Sequence, residues 1–257
     1  MSETVPVFLT PMPHVRRVPV DRAWTWLAQG WNDLLLTPRL SLAYGLILVA
    51  VSFALTLGLI LAGLIYLLLP LAAGFALVAP MLAVGLYEIS RRRQEGRTAV
   101  LSDALMAWRR NVGQIALMGL VLMLLHLAWV RIATLLFALF FQDASPTLDR
   151  LADALLFSPA SLPFLVTGAA IGAVLAAVVF AISVVSIPML LDRDAGVLVA
   201  IATSWAVVRV NPAAMTLWAA LIVAFTVLGF VSLYLGLAVV LPLLGHASWH
   251  AYKDLVE

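Results

Sequence analysis

The chain has 257 residues, of which 64% are apolar and 11% charged, with a net charge of +2 and a mean hydropathy of +1.10. Soluble domains carry about 25% charged residues, so there is too little polar surface to cover a globule in water. Cysteine is absent, which excludes disulfides, thiolate-held metals, iron–sulfur clusters and thiol nucleophiles together. The small positive charge carries no argument for nucleic acid.

The first 22 residues, with Pro6, Pro11, Pro13, Arg16, Arg17, Pro19, Asp21 and Arg22, read as a cytoplasmic tail and not as a signal peptide. An amphipathic stretch, Ala23–Leu36, follows. No Asp, Glu, Lys or Arg occurs between Arg39 and Glu88, between Asp153 and Asp192, or between Arg209 and Lys253. A spanning helix takes roughly 20 apolar residues, so the first and third runs each hold two. The predicted spans are Leu40–Leu69 and Pro70–Ser90, with a tight turn near Leu69-Pro70, and a third from Gly113 to about Phe141. An outer segment, Gln142–Leu162, follows, in which Leu148, Leu151 and Leu155 among Asp149, Arg150 and Asp153 suggest a short surface helix. Pro163–Leu191, Pro212–Phe230 and Leu233–Tyr252 complete the set, the last two joined by a very short turn.

Cytoplasmic segments hold the excess Lys and Arg. With the N-terminus inside, Arg16, Arg17, Arg22, Arg39, Arg91, Arg92, Arg93, Arg97, Arg109, Arg110, Arg193, Arg209 and Lys253 fall on the inner side, which is 13 of the 15 basic residues. Both termini are therefore expected in the cytoplasm. Three amphipathic stretches, Ala23–Leu36, Ser102–Arg110 and Val197–Val208, precede the odd-numbered spans and carry Trp24, Trp26 and Trp31, then Trp108, then Trp205. Apolar spacing with arginine nearby suits helices lying in the membrane interface. The joints correspond as well: Thr37-Pro38-Arg39, Asn111-Val112-Gly113 and Asn211-Pro212-Ala213, each a plausible helix start. Each even-numbered span has an inner proline, Pro80, Pro188 or Pro242. The expected fold class is an all-α polytopic membrane protein of six transmembrane helices, arranged as three hairpin repeats, each preceded by a cytoplasmic interfacial amphipathic helix. Residues 23–257 form one membrane domain, with repeats at about 23–96, 97–196 and 197–257.

Ionisable groups inside a bilayer point to function. His126 and Arg131 lie on the third span, His126 about fourteen residues in and so near the midplane at ~1.5 Å per residue. His126 suits haem ligation, proton transfer, or a neutral hydrogen bond to a neighbouring helix. Two-histidine haem ligation needs a second histidine at similar depth, and His246 and His250 lie near the inner surface instead. Arg131 can snorkel outward or pair with Asp143. A second cluster, Glu88, Asp192, Asp194, His246 and His250, lies at the inner face. His246 and His250 share a helix face, a spacing that holds a divalent metal if Glu88 and Asp192 converge. The alternative is ordinary ion pairing with Arg91–Arg93 and Arg193. Gly58–Gly63 and Gly168–Gly172 offer small residues for close helix packing. A Gly-x-Ser-x-Gly elbow, a Walker loop and a His-Glu-x-x-His motif are all missing.

The run Gly245-His246-Ala247-Ser248-Trp249-His250-Ala251-Tyr252-Lys253-Asp254-Leu255 carries a resemblance, with Val15-Arg16-Arg17-Val18-Pro19, Gly30-Trp31-Asn32-Asp33-Leu34, Ser41-Leu42-Ala43-Tyr44-Gly45 and Gly85-Leu86-Tyr87-Glu88-Ile89-Ser90-Arg91. From about Val15 to Leu255 the chain resembles a family of uncharacterised proteobacterial integral membrane proteins, sometimes loosely labelled cytochrome c oxidase subunit I. That subunit needs several intramembrane histidines for two haems and a copper, whereas this chain has one near mid-membrane. The resemblance implies a bacterial inner-membrane location and supplies no activity. The sequence leaves two main readings, besides an enzyme or redox carrier, for which ligands and motifs are lacking. The first is a non-enzymatic accessory or scaffold subunit, without cofactor, bound to another membrane complex such as a respiratory or energy-transducing one, or to itself. The second is a small transporter or channel with a pathway between the repeats.

Overall fold

The computed structural model describes residues 12–141 and 158–257. The start of the tail, the surface helix expected around Leu148–Leu155, and Asp143 lie outside them. Among the described residues the secondary structure is α-helical, apart from short 3-10 turns and one isolated antiparallel bridge, Val15 to Val256. In chain order the helices are α1 (Arg22–Leu36), α2 (Pro38–Leu61), α3 (Leu68–Leu82), α4 (Val84–Gln94), α5 (Leu101–Leu105) and α6 (Val112–Phe140). They continue with α7 (Ser161–Ser183), α8 (Ser186–Asp192), α9 (Val197–Val210), α10 (Pro212–Val231) and α11 (Leu237–Leu255).

Among the described residues, five stretches are long and apolar enough to cross a membrane: Pro38–Leu61, Pro70–Gln94, Ala107–Phe140, Ser161–Asp192 and Pro212–Val231. In the first, only 17% of the most apolar window is buried. Leu46, Leu55, Leu57 and Leu61 of α2, Leu120, Leu124, Leu127 and Leu135 of α6, and Val223, Val227 and Leu228 of α10 are exposed. Apolar surface on that scale is stable only against lipid. The chain is an all-α, multi-pass membrane protein.

The expected sixth span is different in kind. Its helix begins at Leu237, not Leu233, and its second half carries His246, His250, Lys253 and Asp254. These polar residues keep α11 out of the set of long apolar helices. The turn before it holds Leu233 and Tyr234 at φ 53° and 68°.

Several boundaries move for identifiable reasons. The first span stops at Leu61 and turns at residues 62–64, not at Leu69-Pro70. Gly63 takes φ +69°, the Leu64 N–H bonds the Leu59 carbonyl (2.8 Å) and the Gly63 N–H bonds that of Ile60 (3.1 Å). That is a Schellman ending, for which glycine is the favoured residue. The second and fourth spans are each broken in two, around Ala83 between α3 and α4 and at residues 184–185 between α7 and α8. At the first break Tyr44 Oη donates to the Leu82 carbonyl (2.9 Å). At the second, Ser204 of α9 accepts the Val185 N–H (3.4 Å) and Ser186 donates to the Ala200 carbonyl (3.0 Å). The stretch Ser102–Arg110 is also divided, into α5 and a 3-10 turn, Ala107–Asn111.

The joints start helices where expected, but Asn211 does not cap. Its Oδ1 accepts the Val18 N–H (2.8 Å) and its Nδ2 donates to the Arg16 carbonyl (3.0 Å), pinning the N-terminal segment. The Arg16 N–H donates to the Leu255 carbonyl (2.9 Å), and the Arg22 guanidinium and the Trp26 indole both donate to Asp254 (2.7 and 2.9 Å).

The chain divides into two compact units. The first contains the described residues up to Val49, with Pro80–Gly119 and Phe180–Glu257. Within it α11 packs against α1, α4, α8 and α10, and its inward residues Ala247, Trp249, Ala251, Tyr252 and Leu255 are almost fully buried. The crossings depend on small residues. A Cβ on Gly45 would lie 2.3 Å from the Ala238 carbonyl oxygen, and one on Gly30 2.6 Å from the Ala247 amide nitrogen. Of the glycines expected to pack, Gly58, Gly63 and Gly168 have nothing within 4 Å while Gly172 meets the Trp129 ring in the second unit, and in the first unit the close approaches are at Gly45 and Gly30. Because the obstacle at Gly45 is backbone, Gly45→Ala is expected to cost about 1–3 kcal/mol. Gly58→Ala should cost nothing and gain helix propensity. Thermal unfolding of both variants in detergent, followed by circular dichroism, checks the contrast.

The second unit contains Ala50–Ala79 and the described part of Leu120–Val179. Trp129 is wedged in it, its indole N–H on the Pro70 carbonyl (2.8 Å) and its ring 3.1 Å from where a Gly172 Cβ would lie. Phe137, Phe140 and Phe141 meet Phe164 edge-on, at centroid distances of 5.2–6.2 Å.

Candidate functional site

α1 is amphipathic, with Ala23, Trp26, Gly30, Asp33 and Leu34 buried and Trp24, Trp31, Leu35 and Leu36 exposed. Asp33 is on the apolar face, so its carboxylate enters the first unit with its side chain 4% exposed. Two elements supply its partners. From α4, Ser90 donates to Oδ2 (2.5 Å) and Arg93 pairs with Oδ1; from α11, His250 Nε2 donates to Oδ2 (3.0 Å). Gln94 then donates to His250 Nδ1 (3.2 Å) and accepts the Trp249 indole N–H (2.9 Å). His246, fully buried, lies between two serines, with Nδ1 2.7 Å from Ser90 Oγ and Nε2 2.9 Å from Ser41 Oγ of α2. Ser41 continues to Thr37 (2.9 Å), whose hydroxyl donates to the Asp33 carbonyl (2.8 Å). Burial pushes the Asp33 carboxyl up. The hydrogen bonds from His250 and Ser90 and the influence of the two histidines outweigh it, holding the group below its ordinary value.

The predicted inner-face residues go to separate partners. Glu88, 2% exposed, takes both arms of Arg91 (2.8 Å each) and Nε of Arg92 (2.7 Å). Arg92 extends this pairing to Asp103 (2.6 Å), and Arg91 also meets Glu95. Asp192 accepts from Tyr252 (2.8 Å) and Lys253 (3.1 Å), while Arg193 donates to Tyr252 (2.9 Å). His246 and His250 are linked through Asp33, not through Glu88 or Asp192. Among the described residues no three His, Asp or Glu side chains group as metal ligands.

His126, in the second unit, is half-buried and hydrogen-bonded through Nδ1 to the Gly74 carbonyl on α3 (3.1 Å). A Cβ on Gly74 would meet that ring at 2.6 Å, so the glycine is what admits the histidine. Arg131 is exposed on α6. Asp33, Ser90, Ser41 and Thr37 stand in stretches that the sequence marks for the resemblance or as a helix joint, but it does not single them out as site residues. The signal for Asp33 was its register with Ala23, Trp26 and Gly30 on one face of α1.

Several long apolar helices, together with a cluster of buried ion pairs, define a class, the polytopic α-helical membrane proteins. Within the chain, residues 67–192 match a family described as "Predicted integral membrane protein (DUF2189)". The match covers just under half of the chain, from the turn between the first two spans to Asp192, and so includes Ser90 and Glu88 but not Asp33, His246 or His250. No curated protein and no solved structure matches.

Proposed function

We propose that the protein is a non-enzymatic scaffold or accessory subunit of a bacterial inner membrane, with both termini cytoplasmic, which holds another membrane complex through its lipid-exposed helices. One observation carries this reading. The buried ionisable side chains Asp33, Glu88, Arg91 and His246 are hydrogen-bonded to one another and to neighbouring residues, while the long helices present leucine and valine outward. Such an arrangement fixes a shape and offers apolar faces for contact. The exposed Trp24, Trp31, Trp108 and Trp205 on the short helices suit anchoring at one interface, and six passes in three hairpins fit that placement if α11 counts as the last.

Two measurements test it. Because the chain lacks cysteine, single cysteines report topology cleanly. One at Gly63 should react with an impermeant maleimide on intact cells, and one at Arg97 only after permeabilisation. Extraction into lipid nanodiscs followed by native mass spectrometry should show one stoichiometric membrane partner. A particle containing the chain alone, in lipids extracted without detergent, would overturn the scaffold reading.

A further inference from the structure

The cluster around Asp33 makes more hydrogen bonds than it has hydrogens. Five contacts form a closed circuit: Ser90 to Asp33 Oδ2, His246 Nδ1 to Ser90, His246 Nε2 to Ser41, Ser41 to Thr37, and Thr37 to the Asp33 carbonyl. Each contact requires one hydrogen. With Asp33 ionised and His246 neutral, Ser90, Ser41, Thr37 and one ring nitrogen supply four. Ser90 gives its hydrogen to Asp33 and must therefore accept from His246 Nδ1. Ser41 must then donate to Nε2, Thr37 donates to the Asp33 carbonyl, and two hydroxyl oxygens 2.9 Å apart are left without a hydrogen between them. A fifth proton closes the circuit in one sense: Nδ1–H to Ser90 to Asp33, and Nε2–H to Ser41 to Thr37 to the Asp33 carbonyl.

We propose that Asp33, Ser90, His246, Ser41 and Thr37 form a buried binding site for one proton, held on His246 and balanced by Asp33 across the Ser90 hydroxyl. The proton belongs on His246 because Asp33 is already committed as an anion, with Arg93 of α4 on Oδ1 and His250 of α11 on Oδ2. His250 needs no extra proton, since Gln94 donates to its Nδ1. The other elements packed on α11 bring no competing charge to the ring. α10 has no ionisable residue in Pro212–Val231, Asp192 at the end of α8 is taken by Tyr252 and Lys253, and Arg39 of α2 is exposed. Full burial of the ring, with His250 and Arg93 nearby, opposes the charge, and the Asp33 carboxylate together with the completed circuit favours it. Loading the site ties α1 to α2, α4 and α11 at once, and α1 carries the exposed Trp24 and Trp31. Proton occupancy thereby sets how firmly that helix is seated.

Thr37→Val provides the test, because it leaves both contacts of His246 in place. It removes two contacts and one hydrogen, so the remaining three contacts close with three hydrogens and a neutral ring. Ser41→Ala has the same arithmetic and serves as a second variant. The full-length protein with ¹⁵N-labelled histidine is titrated in detergent micelles between about pH 8 and about pH 5, the His246 signals being assigned by their loss in His246→Gln. Both ring nitrogens of the wild-type residue should become protonated within that range, and Thr37→Val should bind the proton about tenfold more weakly, a shift of one pH unit. The proposal is overturned if wild-type His246 keeps one bare nitrogen throughout, or if Thr37→Val titrates with the wild type.

Discussion

Replacing Asp33 with alanine is expected to lower the unfolding free energy by about 3–5 kcal/mol, the usual loss when one partner of a buried charge pair is removed. The carboxylate is the acceptor for Ser90, Arg93 and His250 together, and none of the three has a second carboxylate to turn to among the hydrogen bonds it makes. Asp33→Asn keeps an acceptor oxygen and the shape, and should lie between the wild type and alanine. The sign of the pH dependence follows from the carboxyl being held below its ordinary value of 3.8. A group depressed in the folded state contributes its full stability above the unfolded value and loses it as pH falls through the folded one. The carboxyl's own titration should therefore narrow the gap between wild type and Asp33→Asn only below about pH 4, whereas loading of the proton on His246, which Asp33 balances, should widen it as pH falls from about 8 to about 5. Chemical unfolding in mixed micelles at several pH values measures this. A gap already closed at neutral pH would mean that Asp33 is solvated.

Much of the helical framework was legible because lipid imposes one strong rule, that long runs without charge are spans. α1 and α9 begin and end within a residue or two of the stretches marked by apolar spacing. The Glu88 pairs were within reach too, since Arg91 and Arg92 stand three and four positions along the same helix. What could not be read was anything closed by distant segments. His250 and Asp33 are 217 positions apart and Ser90 and Asp33 are 57 apart, so no local pattern joins them. Hydropathy also hid the helix breaks: Leu82 and Ala83 look like ordinary span residues, and only the Tyr44 hydroxyl shows that a backbone carbonyl there takes a side-chain donor. Gly63 was read as a packing residue when its φ makes it a helix stop. The terminal helix mixes both lessons. Its polar half looked like the end of a span, and in the fold that half is the hub of the first unit.

Glu88→Ala should cost a comparable amount, about 3–5 kcal/mol, and a double substitution tells why. Glu88 takes both arms of Arg91 and one of Arg92, with the Glu88 and Arg91 side chains 2% and 6% exposed. Removing the carboxylate leaves Arg91 buried with only Glu95 as a partner, itself 41% exposed, while Arg92 keeps Asp103. The loss is therefore chiefly the stranding of Arg91, not the intrinsic strength of the pair, because desolvation of two charges consumes most of their attraction. If so, Glu88→Leu combined with Arg91→Met should recover most of the loss and return to within about 1 kcal/mol of the wild type. Single Glu88→Leu should remain as unstable as the alanine variant. Unfolding midpoints of the three variants in one detergent decide the matter. Equal destabilisation of the single and the double variant would instead assign the energy to the Glu88 contacts with Arg92, and through Asp103 to the anchoring of α5 on α4. That outcome would make α5, which carries Asp103 and accepts the Val100 N–H there (3.1 Å), the element that fails first.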